Sequence, residues 1–360
     1  MKIDYNILEA AKRPEPTEEN LGFGKVFTPH MFIMEWEKGD GWKNARIQPF
    51  QNLSLSPAST VFHYAQEIFE GMKAYRQEGD RIVLFRPTMN TARMNRSAVR
   101  MAMPEIPEDF HLEAIKRLVD LDRDYVPHEF GNTLYLRPTM IGDSLTLGAS
   151  TAQRFIYYLI LSPSGAYYPR GLSPTRLKVE ERYVRAVKGG VGASKTGGNY
   201  AASFKATADA AAAGFDQVVW LDGKENRFVQ EAGAMNLMFM IDGKLMTGAL
   251  DGAILPGVTR DSVLQIVRDM DIEVIETEID INDIKKWAKE GKLTEAFGTG
   301  TAAAISPIGE IHYDGEAIIP GDGQIGKMAQ HLYDTLLGTQ YGKIADRYGW
   351  IEEVPVYEDR

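Results

Sequence analysis

Residues 189–200, GGVGASKTGGNY, set one lysine, Lys195, among five glycines just ahead of an alanine-rich stretch. Three chemistries compete for such a lysine. It can be a solvated residue of a flexible loop. It can belong to a nucleotide-binding P-loop, since Gly189, Lys195 and Thr196 fit GxxxxGK[ST] and QVVWLD at 217–222 resembles the apolar strand that ends on a magnesium-holding aspartate. Against that, Ser194 stands where the P-loop needs glycine, and Gly197-Gly198 follow where its helix should begin. Third, it can form a Schiff base. That requires an amine deprotonated near neutral pH, hence burial or a cationic neighbour. Glycines would let the backbone close around a flat cofactor ring.

A Schiff-base lysine makes demands elsewhere: an anion for the cofactor's ring nitrogen, donors for its phosphate and a seat for the substrate carboxylate. Glu231, in VQEAGAMNLMFM, lies among apolar neighbours. It is either a solvated hairpin residue or an ion-pair partner, because a lone buried carboxylate is costly. LPGVTRDSV at 255–263 is a glycine turn entering a helix. Thr259 and Asp261 can simply cap it, yet the same helix start offers N–H groups and a positive dipole end to an anion. Arg93, Arg96 and Arg100 share a helix face; such a row is usually solvated, but one member can turn inward to a phosphate. FGTGTAAAISP at 297–307 is a turn of small residues whose amides can meet a carboxylate, or is only a turn.

The elements that must hold these residues read as mixed α and β. After an irregular arm of about 20 residues, short β-type runs such as MFIMEW and RIVLF alternate with turn signals up to residue 85. Helices are predicted over 87–103, opened by a proline, and over 109–125, followed by the strands TLYLRPTMI and RFIYYLILS. Pro, Gly and Ser cluster at 167–175. Beyond it come a strand in LKVEERYVRAV, a helix over 199–213, the strand QVVWL and a hairpin turned at Asp242-Gly243. A helix over 259–270, the strand DIEVIETE and a helix over 326–337 complete the chain. We expect two α/β domains, residues 1–168 and 177–360, joined by a linker at 169–176.

Composition narrows the function. Net charge is −10 with no basic cluster, which argues against nucleic acid as partner. The chain has no cysteine, and its six histidines form no HxxxH or HExxH pair, so thiol and metal chemistry are not expected. The most apolar run, 154–162, is far short of the roughly 20 residues of a membrane span. The first 20 residues mix both charge signs without an apolar stretch, so the cytoplasm is the expected location.

In chain order, FEGMKAYR (69–76), LFRPTMNTARMNRSA (84–98), YLRPTMIG (135–142), SPSGAYYPRG (162–171), VGASKTGGNYAAS (191–203), EAGAMNLMFM (231–240), LDGAILPGVTRDSV (250–263) and FGTGTAAAISP (297–307) resemble the branched-chain amino acid aminotransferases, of pyridoxal-phosphate fold type IV. The resemblance implies an α/β (α+β) chain with a smaller N-terminal α/β domain, a larger C-terminal pseudo-barrel domain and a cofactor cleft between them. It implies pyridoxal 5'-phosphate on Lys195, which also carries the substrate proton. Tyr200 would bond the cofactor's phenolic oxygen, Glu231 its ring nitrogen, and Arg93, Val258, Thr259 and Thr301 its phosphate. The turn at Thr301-Ala302, with Tyr64, would receive the α-carboxylate. Phe23, Phe69, Tyr135 and Tyr167 would line an apolar pocket, and Arg137 would accept the distal carboxylate of glutamate.

The implied reaction is ping-pong amino transfer between L-leucine, L-isoleucine or L-valine and 2-oxoglutarate. It would run in a homodimer or larger homo-oligomer, with the 147–149 loop reaching the neighbour's site. Two departures from the family pattern stand out. Ala303 and Ser306 replace a CxxC pair found in vertebrate members, and Ala234 replaces a threonine found in some members. A D-amino acid aminotransferase or aminodeoxychorismate lyase of the same fold type is the near alternative, and a P-loop protein the distant one.

Overall fold

Strand Arg154–Ser164 buries every second residue from Phe155 to Leu161. That period of two gives one face of its sheet to a core and leaves the other half-covered. The computed structural model describes residues 1–167 and 171–358. Its first sheet runs in the order Asp4–Tyr5, Gly41–Pro49, His30–Glu37, Arg154–Ser164, Thr133–Gly142, Met72–Gln77, Arg81–Phe85 and Ile351–Glu353, with the short strand Glu67–Phe69 also paired to Thr133–Gly142. Only Asp4–Tyr5 pairs parallel. The core face carries Phe32, Met34, Leu134, Leu136, Tyr157 and Leu159 against Met94, Ala98, Ile115 and Leu118 of two helices, Pro87–Arg100 and Glu108–Leu121. The first helix opens with Pro87, whose missing N–H costs nothing there. Glu108 and Asp109 in the first turn of the second complement its dipole.

The second sheet closes on itself. Val229–Ala232, Gln217–Leu221, Thr175–Glu180, Ala304–Tyr313, Leu293–Gly300 and Met235–Ile241 pair in a ring, because Val229–Ala232 also pairs with Met235–Ile241. Lys244–Gly248 and Val274–Thr277 extend it. This is the expected pseudo-barrel. Its hairpin turns as predicted at Asp242 (φ 48°) and Gly243 (φ 75°), the left-handed pair that matches strand twist.

Two compact units result: residues 1–167 with 194–197 and 338–360, and residues 168–193 with 198–337. The division expected at 169–176 differs from these units at residues 194–197 and 338–360. Ile351–Glu353 pairs with Arg81–Phe85, Ile351 opposite Phe85, and this takes the chain's last segment into the first unit. The linker placed at 169–176 lies partly outside the described residues. The predicted helix 199–213 is two pieces, Gly197–Ala201 and Phe204–Ala212. Ile281–Lys289, capped by the Asp280 side chain on the Asn282 N–H, escaped the sequence reading. Among the described residues no helix is long and apolar enough to cross a membrane.

Candidate active site

In the first unit, helix Pro87–Arg100 resolves the arginine row. Arg93 is buried at 3% exposure, whereas Arg96 and Arg100 are exposed. The burial is made possible by Glu70, itself fully buried, which takes the Nε and Nη2 edge of Arg93 at 2.7 and 2.8 Å. Asn90 Nδ2 (2.9 Å) and the Gly71 N–H (3.1 Å) also donate to the Glu70 carboxylate. Burial by itself would raise the Glu70 pKa; Arg93, with Lys195 and Asn90, more than reverses this and holds it below the ordinary value.

One turn on from Arg93, Ser97 Oγ accepts the Lys195 N–H at 2.9 Å, and the Phe69 N–H donates to the Lys195 carbonyl at 3.0 Å. The lysine backbone is thus held from both sides. Its Nζ lies 4.7 Å from the centre of the Phe69 ring. Burial, then the Arg93 charge, lowers the amine pKa to about 8. This meets the Schiff-base requirement of an accessible neutral amine. The helix that follows begins at Gly197 and is only Gly197–Ala201, which does not suit a P-loop.

The same ring organises the expected apolar pocket. Arg137 Cζ sits 4.8 Å from the Phe69 centroid and 5.2 Å from that of Tyr135, and its Nη2 donates to the Tyr135 hydroxyl at 3.0 Å. Phe23 packs edge-on to Tyr135 at 4.8 Å. Phe23, Phe69, Tyr135, Arg137 and Lys195 therefore form one chain of contacts. Tyr64 has no ring contact with that chain: it is half-exposed, and its hydroxyl donates to the Leu147 carbonyl. Tyr167, also half-exposed, is the last described residue before the undescribed 168–170.

The second unit carries the other candidates. Glu231 is buried at 2% exposure and pairs with the buried Arg185, whose Nη2 also donates to the Ala253 carbonyl at 3.0 Å. Asn236 Nδ2 reaches Glu231 Oε1 (3.2 Å) and the Leu255 carbonyl (2.9 Å). Of the two readings, the ion-pair partner holds. Helix Val258–Arg268 starts behind Gly257 with no side-chain cap, so the buried Val258 and Thr259 lead an open N-terminus. A Cβ on Gly257 would run into Asn236 Oδ1; glycine is what lets the turn approach. Thr301 and Ala302 lie in a three-residue turn between Gly300 and Ala304, which pair, and Ala304 takes φ 59°. Thr299, just before it, keeps a buried hydroxyl with no hydrogen-bond partner among the described residues. Tyr200 is half-buried in Gly197–Ala201, its carbonyl accepting from Ser203 Oγ at 2.6 Å.

Sequence reasoning missed Glu70, Ser97, Arg185, Asn236 and Thr299. Their roles depend on pairing across 5 to 98 residues or on a register, and no local spacing signals either. The groups present fit pyridoxal 5'-phosphate: in the first unit an amine of lowered pKa and a buried arginine, in the second an uncapped helix start and a buried carboxylate.

Each unit thus carries groups whose chemistry suits a pyridoxal cofactor. The chain belongs to the class IV amino-transferase family, whose pattern matches residues 67–311. It is 47% identical over 344 residues to branched-chain-amino-acid transaminase 1 of Bacillus subtilis (strain 168), covering 95% of this chain and 96% of that one. To the branched-chain-amino-acid aminotransferase of Mycolicibacterium smegmatis it is 46% identical over 338 residues, 92% of each chain. Among solved structures, it superposes with a TM-score of 0.73 and 25% identity on the branched-chain aminotransferase of the thermophilic archaeon Thermoproteus uzoniensis with norvaline, covering 90% of this chain and 100% of that one.

Proposed function

We propose that the chain is a pyridoxal-phosphate-dependent branched-chain-amino-acid transaminase, exchanging amino groups between L-leucine, L-isoleucine or L-valine and 2-oxoglutarate. The observation that carries this reading is the likeness to transaminases of that specificity over nearly the whole chain. When bound, the cofactor supplies an electron sink for the negative charge developing at the substrate Cα. Lys195 holds the cofactor and, with its amine brought to about pKa 8, moves the Cα proton at neutral pH. Arg93, Val258, Thr259 and Thr301 hold the phosphate, Glu231 the ring nitrogen and Tyr200 the phenolic oxygen. The Thr301-Ala302 turn and Tyr64 orient the α-carboxylate. Phe23, Phe69, Tyr135 and Tyr167 exclude water around the branched side chain, and Arg137 meets the distal carboxylate of glutamate. The working form is a cytoplasmic homodimer or larger homo-oligomer.

The test is a panel of L- and D-leucine, isoleucine and valine with 2-oxoglutarate, run on the wild type and on Lys195→Ala. Activity is expected with the L-isomers and lost in the variant. Activity confined to D-isomers, or wild-type turnover without Lys195, would overturn the reading.

A further inference from the structure

We propose that Glu67 tunes the choice between apolar and acidic side chains at Arg137, opposing a second carboxylate there and so favouring the branched substrate over glutamate. The proposal rests on the reading that Arg137 receives the distal carboxylate. Glu67 and Phe69 lie on the same side of the strand Glu67–Phe69, about 7 Å apart along it. Glu67 pairs with Ile141 and Phe69 with Thr139, so both share a sheet face with Tyr135, Arg137 and Thr139. The Arg137 guanidinium leans onto the Phe69 ring, the next same-face residue to Glu67. Its Nε is buried without a hydrogen-bond partner among the described residues, which leaves donor capacity for an anion.

The Glu67 carboxylate is half-buried, with the backbone just beyond Lys195 close to it on the other side. A Cβ on Gly197, two residues beyond Lys195, would run into Oε1, and Thr196 Oγ1 donates to the Glu67 carbonyl at 2.7 Å. Among the described residues no group hydrogen-bonds this carboxylate. Burial raises its pKa and the Arg137 charge pulls it back, so the two groups feel each other's charge. Tyr158, half-buried on the same face, feels both. An arriving carboxylate would meet Arg137 with a negative group already in its field, whereas an isobutyl group would meet no such opposition. For two like charges about 7–10 Å apart at an effective dielectric of about 40, between the near-surface and bulk-water values, the opposition corresponds to about three- to tenfold in affinity.

The test uses the holoenzymes of wild type, Glu67→Gln, Arg137→Met and the double variant. Dissociation constants of glutarate and 4-methylvalerate, which cannot react, are read from the visible absorbance of the bound cofactor, with KM for 2-oxoglutarate beside them. Glu67→Gln is expected to tighten glutarate about three- to tenfold, to lower KM more than it changes kcat, and to leave 4-methylvalerate within about twofold. The tightening should vanish in the double variant. If Arg137→Met weakens glutarate but Glu67→Gln does not tighten it, or the tightening survives without Arg137, the role of Glu67 is refuted and the role of Arg137 stands. If Arg137→Met leaves glutarate unchanged, both fall together.

Discussion

Glu70→Gln is the substitution whose cost the structure defines best. The Glu70 carboxylate is fully buried and takes two hydrogen bonds from Arg93, one from Asn90 and one from the Gly71 N–H. Glutamine keeps the shape but presents an NH2 group where one oxygen had accepted, so at least one buried donor loses its partner, at about 1–3 kcal/mol. It also leaves the Arg93 guanidinium buried without its counter-charge. Removing one member of a buried pair costs about 3–5 kcal/mol in all, while replacing both by apolar residues costs far less. Urea unfolding of cofactor-free protein should therefore show Glu70→Gln destabilised by about 3–5 kcal/mol, and Glu70→Leu/Arg93→Met clearly less than the sum of its singles. Hydrogen exchange of helix Pro87–Arg100 should accelerate in step, since that helix carries Arg93. The pH dependence has a definite sign. Because the folded-state pKa of Glu70 is depressed, its contribution is present above the ordinary glutamate value of about 4.3 and is lost as pH falls through the lower folded value. The gap between wild type and Glu70→Gln should accordingly close only in strong acid. A cost below about 1 kcal/mol at neutral pH, or additive singles, would refute the picture of a buried, mutually dependent pair.

Two further outcomes are expected. In cofactor-free protein, reductive methylation of Lys195 followed by peptide mass spectrometry should rise with pH about a midpoint near 8, where burial and Arg93 hold the amine, against about 10.4 for exposed lysines; a midpoint near 10 would remove the physical basis assigned to this residue. Gly257→Ala should drive Asn236 off Glu231 and disturb the start of helix Val258–Arg268, weakening pyridoxal 5'-phosphate binding at least about tenfold by fluorescence titration, about 1.4 kcal/mol or more; unchanged affinity would show that the close approach at Gly257 does not support the site.

What the residues by themselves determined was mostly local. The strand patterns, the opening of helix Pro87–Arg100 at a proline, the Asp242-Gly243 turn and the glycine loop around Lys195 all follow from φ/ψ preference and period, which act over a few neighbours. The family could be read from motifs for the same reason, because each is a contiguous string. Three matters were left to the tertiary structure. Which arginine of the row turns inward was decided by Glu70, a residue 23 positions away from Arg93. Whether Glu231 is solvated or paired was decided by Arg185, which nothing in ERYVRAV distinguishes from a surface cation. The course of the last segment was decided by Ile351–Glu353 finding Arg81–Phe85 as an edge to pair with. In each case a buried charge or an open strand edge needs a partner, and its sequence separation from that partner is set by topology rather than by local preference. Lys195 shows both halves: its glycines mark the loop, but its amine is brought to about 8 only by burial and Arg93.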